Sequence, residues 1–98
     1  MQTGELIKAD GSRETVTPKG KKFTLAELQE CVGGYIEIVA LKPGNGHATM
    51  YINEEGKLIG LSANPEATKL TVVGDYGDTI VGNALIVRNQ SKPIRDQR

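Results

Sequence analysis

Phe23-Thr24-Leu25-Ala26-Glu27-Leu28-Gln29-Glu30-Cys31-Val32-Gly33-Gly34-Tyr35-Ile36-Glu37-Ile38-Val39-Ala40-Leu41 holds a helix, its stop signal and the strand that follows. Thr24 and Glu27 stand at capping-box spacing, where hydroxyl and carboxylate each satisfy a backbone N–H that the first helical turn leaves unpaired. Phe23 and Leu28 have the spacing of a hydrophobic staple, and Leu25, Leu28 and Val32 recur on one helical face. Gly33-Gly34 ends the helix, because glycine tolerates the left-handed backbone that closes a last turn. The helix is therefore expected at about Leu25–Val32. From Tyr35 to Leu41 the period changes to two, with Ile36, Ile38 and Ala40 on one side and Tyr35, Glu37, Val39 and Leu41 on the other. The second side is partly apolar, so something should cover part of it.

On the N-terminal side, Glu5–Ala9 and Glu14–Thr17 flank the turn signal Asp10-Gly11 and read as a hairpin closed off by Pro18. Lys19-Gly20-Lys21-Lys22 then connects to the helix. On the C-terminal side, Pro43-Gly44-Asn45-Gly46 is a loop. Ala48–Ile52 and Lys57–Leu61 are expected to pair across Asn53–Gly56, with Gly56 at positive φ in a bulge. Asn64-Pro65 opens a short second helix, asparagine as cap and proline in the first position. Leu70–Val73 then reads β-like. Ile80–Val87 is apolar on both sides apart from Gly82 and Asn83, which suits a strand in the middle of a sheet. The order β-β-α-β-β-β-α-β describes an α+β fold, an antiparallel or mixed sheet with a helix on one face. It gives one domain over residues 1–87 and a polar, basic tail from Arg88 to Arg98.

Ninety-eight residues suffice for one modest core, with 12 basic and 12 acidic side chains and a formal net charge of zero. Neutrality argues against a protein that lives on phosphate neutralisation, and equally against one that imitates DNA by its charge. A single cysteine, Cys31, excludes an internal disulfide. Absence of a signal-peptide pattern, and of any apolar run near the roughly 20 residues a membrane span needs, makes the bacterial cytoplasm the expected compartment.

Three stretches resemble one family: Leu28–Glu37; Asn53–Leu58 followed by Leu61 and Asn64-Pro65; and Gly77–Ala84. They resemble, in order, a family of small phage and bacterial proteins catalogued as domain of unknown function 3846, and span about Thr24 to Val87. The resemblance implies a mobile-element setting and no particular chemistry. The N-terminal hairpin and the tail fall outside these stretches.

No residue set carries a catalytic or cofactor-binding signature. His47 has no nucleophile near it in sequence, and an exposed strand-start residue is its plain reading. Glu27 and Glu30 should raise the Cys31 pKa, which suits a half-buried small hydrophobe better than a nucleophile. One cysteine and one histidine cannot build a structural zinc site, and the acidic residues lack calcium-loop spacing. Gly44-Asn45-Gly46-His47 beside Lys42 could form a nest of backbone N–H groups for an anion, the plain alternative being a connection between strands. Lys19, Lys21 and Lys22 precede the helix, where they could join an anion site at its N-terminus or simply be solvated. Asn83, an amide in an apolar strand, needs a hydrogen-bond partner within the sheet, or in a ligand or second subunit.

These readings converge on a non-enzymatic phage accessory protein that counters host defence by sequestering a small anionic, nucleotide-derived signal. Lys19, Lys21, Lys22, Lys42, Gly44, Asn45, Gly46, His47 and Asn83 are its candidate ligand-binding residues. A homodimer or larger oligomer is expected through Tyr35, Val39 and Leu41. The alternatives are direct inhibition of a host protein, and weak nucleic-acid binding through the basic tail.

Overall fold

The computed structural model describes residues 1–89. Five strands form one antiparallel sheet: β1 (Gln2–Ile7), β2 (Arg13–Val16), β3 (Ile36–Val39), β4 (Thr49–Asn53) and β5 (Ala84–Asn89), in the spatial order β2-β1-β5-β4-β3. The helices are α1 (Leu25–Val32) and α2 (Pro65–Lys69), and α2 leads into a 3-10 turn at Val72–Tyr76. The expected α+β fold is present, and the greasy β5 is the central strand. Among the described residues no helix is long and apolar enough to cross a membrane.

Each sheet face has its own core. On one, Leu6, Leu85 and Val87 pack with Leu28 of α1, joined by Phe23, Cys31, Ile36 and Tyr51. On the other, Ile7, Val39, Met50, Ile52 and Ile86 pack beneath Ala67 of α2 with Leu70 and Val73. Both faces of β5 are thus covered, which explains why its sequence lacks a polar face. Val39 and Leu41 belong to the second core. Val39 is buried and Leu41 half-buried against the layer of α2 and the 3-10 turn, so the face expected for a dimer is not exposed as a whole. Tyr35 alone of that trio is exposed, at 63%.

The cap of α1 is as the sequence expects. Thr24 Oγ1 accepts from Glu27 N (3.1 Å), Glu27 Oε1 accepts from Thr24 N (2.8 Å), and Gly33 closes the helix at φ +83°. Gly34 serves a different purpose. A Cβ there would lie 2.9 Å from Asn53 Nδ2, so the residue is glycine for room.

The expected strand at Lys57–Leu61 is instead a run of tight turns. Ile59 N donates to Glu55 O (3.0 Å) and Leu61 N to Gly56 O (2.9 Å), so the segment satisfies its backbone locally and leaves Leu58 and Ile59 exposed. Gly56 lacks the expected positive φ, which Gly60 adopts; a Cβ on Gly56 would meet Val81 Cγ2 at 2.9 Å. Leu70–Val73 contributes one isolated bridge, Thr71 to Leu41, before the 3-10 turn. Finally, β5 starts at Ala84 and runs on through Asn89, so Arg88 and Asn89 are paired with Thr3 and Gln2. The rest of the expected tail lies outside the described residues.

Candidate functional site

Alternation of strand directions brings three chain segments to one end of the sheet. The end of β5 (Arg88, Asn89) lies beside the start of β1, since Asn89 is in register with Gln2. Gln2 N donates to Lys21 O (3.1 Å) and Gln2 Oε1 accepts from Phe23 N (2.8 Å), which fixes the Lys19–Lys22 loop at this end. The β3–β4 loop returns here too, delivering His47 just before β4.

Asn45, His47, Ala48, Arg88 and Asn89 line one open depression of 340 Å³. The loop is shaped by Gly44 (φ +100°) and Gly46 (φ +64°), a backbone that side-chain-bearing residues rarely adopt. Asn45 Nδ2 donates to Lys42 O (2.7 Å), so the loop is braced by its own asparagine while Asn45 still faces the depression. Lys42 turns away: Nζ pairs with Asp75 Oδ1 at 3.2 Å. The cation lining the depression is therefore Arg88, a residue that the sequence pattern places in the tail. Extending the alternation of Ala84 and Ile86 by one step would have placed it on the sheet, since it shares a shallow hollow with Ile86, Thr3 and Glu5.

With Lys42 paired to Asp75, the other candidate residues are also not all brought together. Asn45 and His47 meet Arg88, whereas Lys19, Lys21 and Lys22 share the sheet end without lining the depression. Nor do those lysines complete a helix N-terminal anion site. The Glu27 carboxylate occupies that position, accepting from Thr24 N and from Lys19 N (3.0 Å). These bonds hold the Glu27 carboxyl below the usual range, Thr24 contributing most and Lys19 next. Asn83 is at the opposite end, half-buried beside Ala9, Val32, Leu61 and Ser62.

The asparagines with demanding surroundings are Asn64 and Asn53. Asn64 is fully buried; its Nδ2 donates to Ile7 O (3.0 Å) and Gly82 O (2.8 Å), and its Oδ1 accepts from Ala67 N (3.1 Å). The cap pattern anticipates the last bond, and only the tertiary structure reveals the other two. Asn53 joins Val32 O (3.3 Å) to Glu55 N (2.8 Å), locking the end of α1 to the end of β4. Cys31 is half-buried, and burial pushes its thiol pKa up, with Glu30 and then Glu27 adding to the shift. No group of three or more His, Cys, Asp or Glu among the described residues could hold a metal ion.

The comparison with protein families matches residues 6–95 to the family described as Domain of unknown function (DUF3846). The chain belongs to that family. The DUF3846 match extends beyond the three resembling stretches, taking in the hairpin from Leu6 and reaching residue 95. No curated protein and no solved structure matches the chain. The DUF3846 assignment thus brings no described activity with it, and chemistry has to be argued from the side chains themselves.

Proposed function

We propose that this protein acts by binding rather than catalysis, holding a small phosphate-bearing, nucleotide-derived ligand at the end of its sheet. In a mobile-element setting, such binding would withdraw a host defence signal from its receptor. The observation that carries the reading is the depression where Asn45 and His47 meet Arg88. An arginine, an imidazole and an amide are suited to phosphate oxygens, arginine doubly so because its planar fork can donate two parallel bonds. At 340 Å³ the space is within the range of small-ligand sites. Lys19, Lys21 and Lys22, on the neighbouring loop, would raise the positive potential at this end without touching the ligand.

Sequestration needs affinity alone, so the reading requires no nucleophile. Calorimetry with cyclic dinucleotides, NAD-derived nucleotides and simple nucleotides tests it. The expected result is saturable binding to at least one member, weakened about 10- to 100-fold by Arg88→Ala, the range implied by losing a charge-assisted hydrogen bond. Silence across the panel, or binding indifferent to Arg88→Ala and His47→Ala, refutes it.

A further inference from the structure

At the other side of the molecule, the flank of α1, the Gly33-Gly34 link and the turn after β4 enclose an open groove of 490 Å³. Gln29, Glu30, Tyr35, Glu55 and Ile59 line it. Gly34 and Asn53 line it too, and a Cβ on Gly34 would lie 2.9 Å from Asn53 Nδ2. Tyr35 and Ile59 are 63% and 60% exposed, a large outlay of apolar surface for so small a domain.

The charge lining this groove has one sign, that of Glu30 and Glu55. Among the described residues neither of these carboxylates is in an ion pair. The nearby Lys57 does not compensate, since it pairs with Asp78. No described lysine or arginine lines the groove.

We infer that this groove docks a basic segment of a partner protein, one large aliphatic or aromatic side chain lying between Tyr35 and Ile59 with lysines or arginines reaching Glu30 and Glu55. Tyr35 and Ile59 favour the anchor by removing exposed surface from water on both partners. The carboxylates select the flanking charges and speed encounter, so affinity falls with salt. An acidic or uncharged segment would gain the anchor contact but meet unpaired like charge or none, which sets the direction of selectivity. This site is separate from the depression at Arg88, and either can fail without the other.

The test is selection of the full-length protein against a displayed random 12-residue peptide library, followed by anisotropy and amide-shift mapping with the winning synthetic peptides. Enrichment of sequences with two or more Lys or Arg around one Leu, Ile, Phe or Trp is expected. Amide shifts should centre on Gly33, Gly34, Tyr35 and Ile59. The double reversal Glu30→Lys/Glu55→Lys should weaken binding at least 10-fold, and Ile59→Ser should do so with the charges intact. All three positions are exposed, and retained amide dispersion verifies folding of each variant. Several results overturn the inference: no basic enrichment, affinity untouched by these variants, or shifts elsewhere. Concentration-dependent self-association lost on charge reversal makes the occupant a second copy. Stronger binding by a synthetic Gln90–Arg98 peptide than by any selected sequence makes it the chain's own terminus.

Discussion

The two ends of this sheet are built from the same ingredients and have opposite characters. Near Arg88, the loop glycines expose backbone, His47 and Arg88 share a depression, and Lys19, Lys21 and Lys22 stand on the adjoining loop. Around Gly34, glycine makes room for Asn53, and Tyr35 and Ile59 are edged by glutamates. A net charge of zero conceals this separation, because most remaining charges cancel locally: Lys8 with Glu14, Arg13 with Glu5 and Glu66, Lys42 with Asp75, Lys57 with Asp78. Whole-chain neutrality therefore argues against a uniformly basic binder, yet leaves room for a local anion site.

The contrast depends on a rigid frame, and breaking the frame should have the largest effect. Asn64→Asp keeps the size but removes both donors, setting a carboxylate against the carbonyls of Ile7 and Gly82. Unfolding in urea should show a loss of about 3 kcal/mol or more, the cost of leaving several buried groups unpaired. Gly34→Val should follow at about 1–3 kcal/mol through overpacking against Asn53, and should fill the acidic groove while sparing anion binding.

Thr24→Ala removes the hydroxyl half of the α1 cap and should cost about 1 kcal/mol. The partner Glu27 adds a pH dependence. Its folded pKa lies below the ordinary glutamate value of 4.5, so its contribution is fully present above that value and is lost as pH falls through the depressed one. Acid titration of Glu27→Gln against the parent should show this portion of the slope disappear. The smallest effect sharpens the contrast instead of breaking it. Asp75→Asn frees Lys42, and anion affinity should rise by about two- to fivefold, consistent with the modest worth of an exposed ion pair.

The fold was readable where local chemistry and tertiary demand agree. Thr24, Glu27 and Gly33 define α1 by themselves, and the run before Arg88, apolar on both sides apart from Gly82 and Asn83, places β5 at the centre. Sequence pattern failed where it admits two outcomes. Lys57–Leu61, carrying Leu58, Ile59 and Leu61 after a turn signal, reads as a strand, but Gly56 against Val81 and a chain of local hydrogen bonds fold it into turns. The site was half legible. A glycine loop carrying His47 can be seen in sequence, whereas its meeting with Arg88 follows from strand order. The engagement of Lys42 by Asp75, and of the helix N-terminus by Glu27, depends on side-chain geometry that no spacing rule supplies.

Because β5 is shared by both packed layers, neither layer can melt while the other stays intact. Leu85 faces the α1 side and Ile86 the α2 side, and both are essentially inaccessible. Their amides should therefore exchange with deuterium only through whole-molecule opening, as a single kinetic unit. A ligand gripping Arg88 at the tip of that strand would then slow exchange on both sides of the sheet at once.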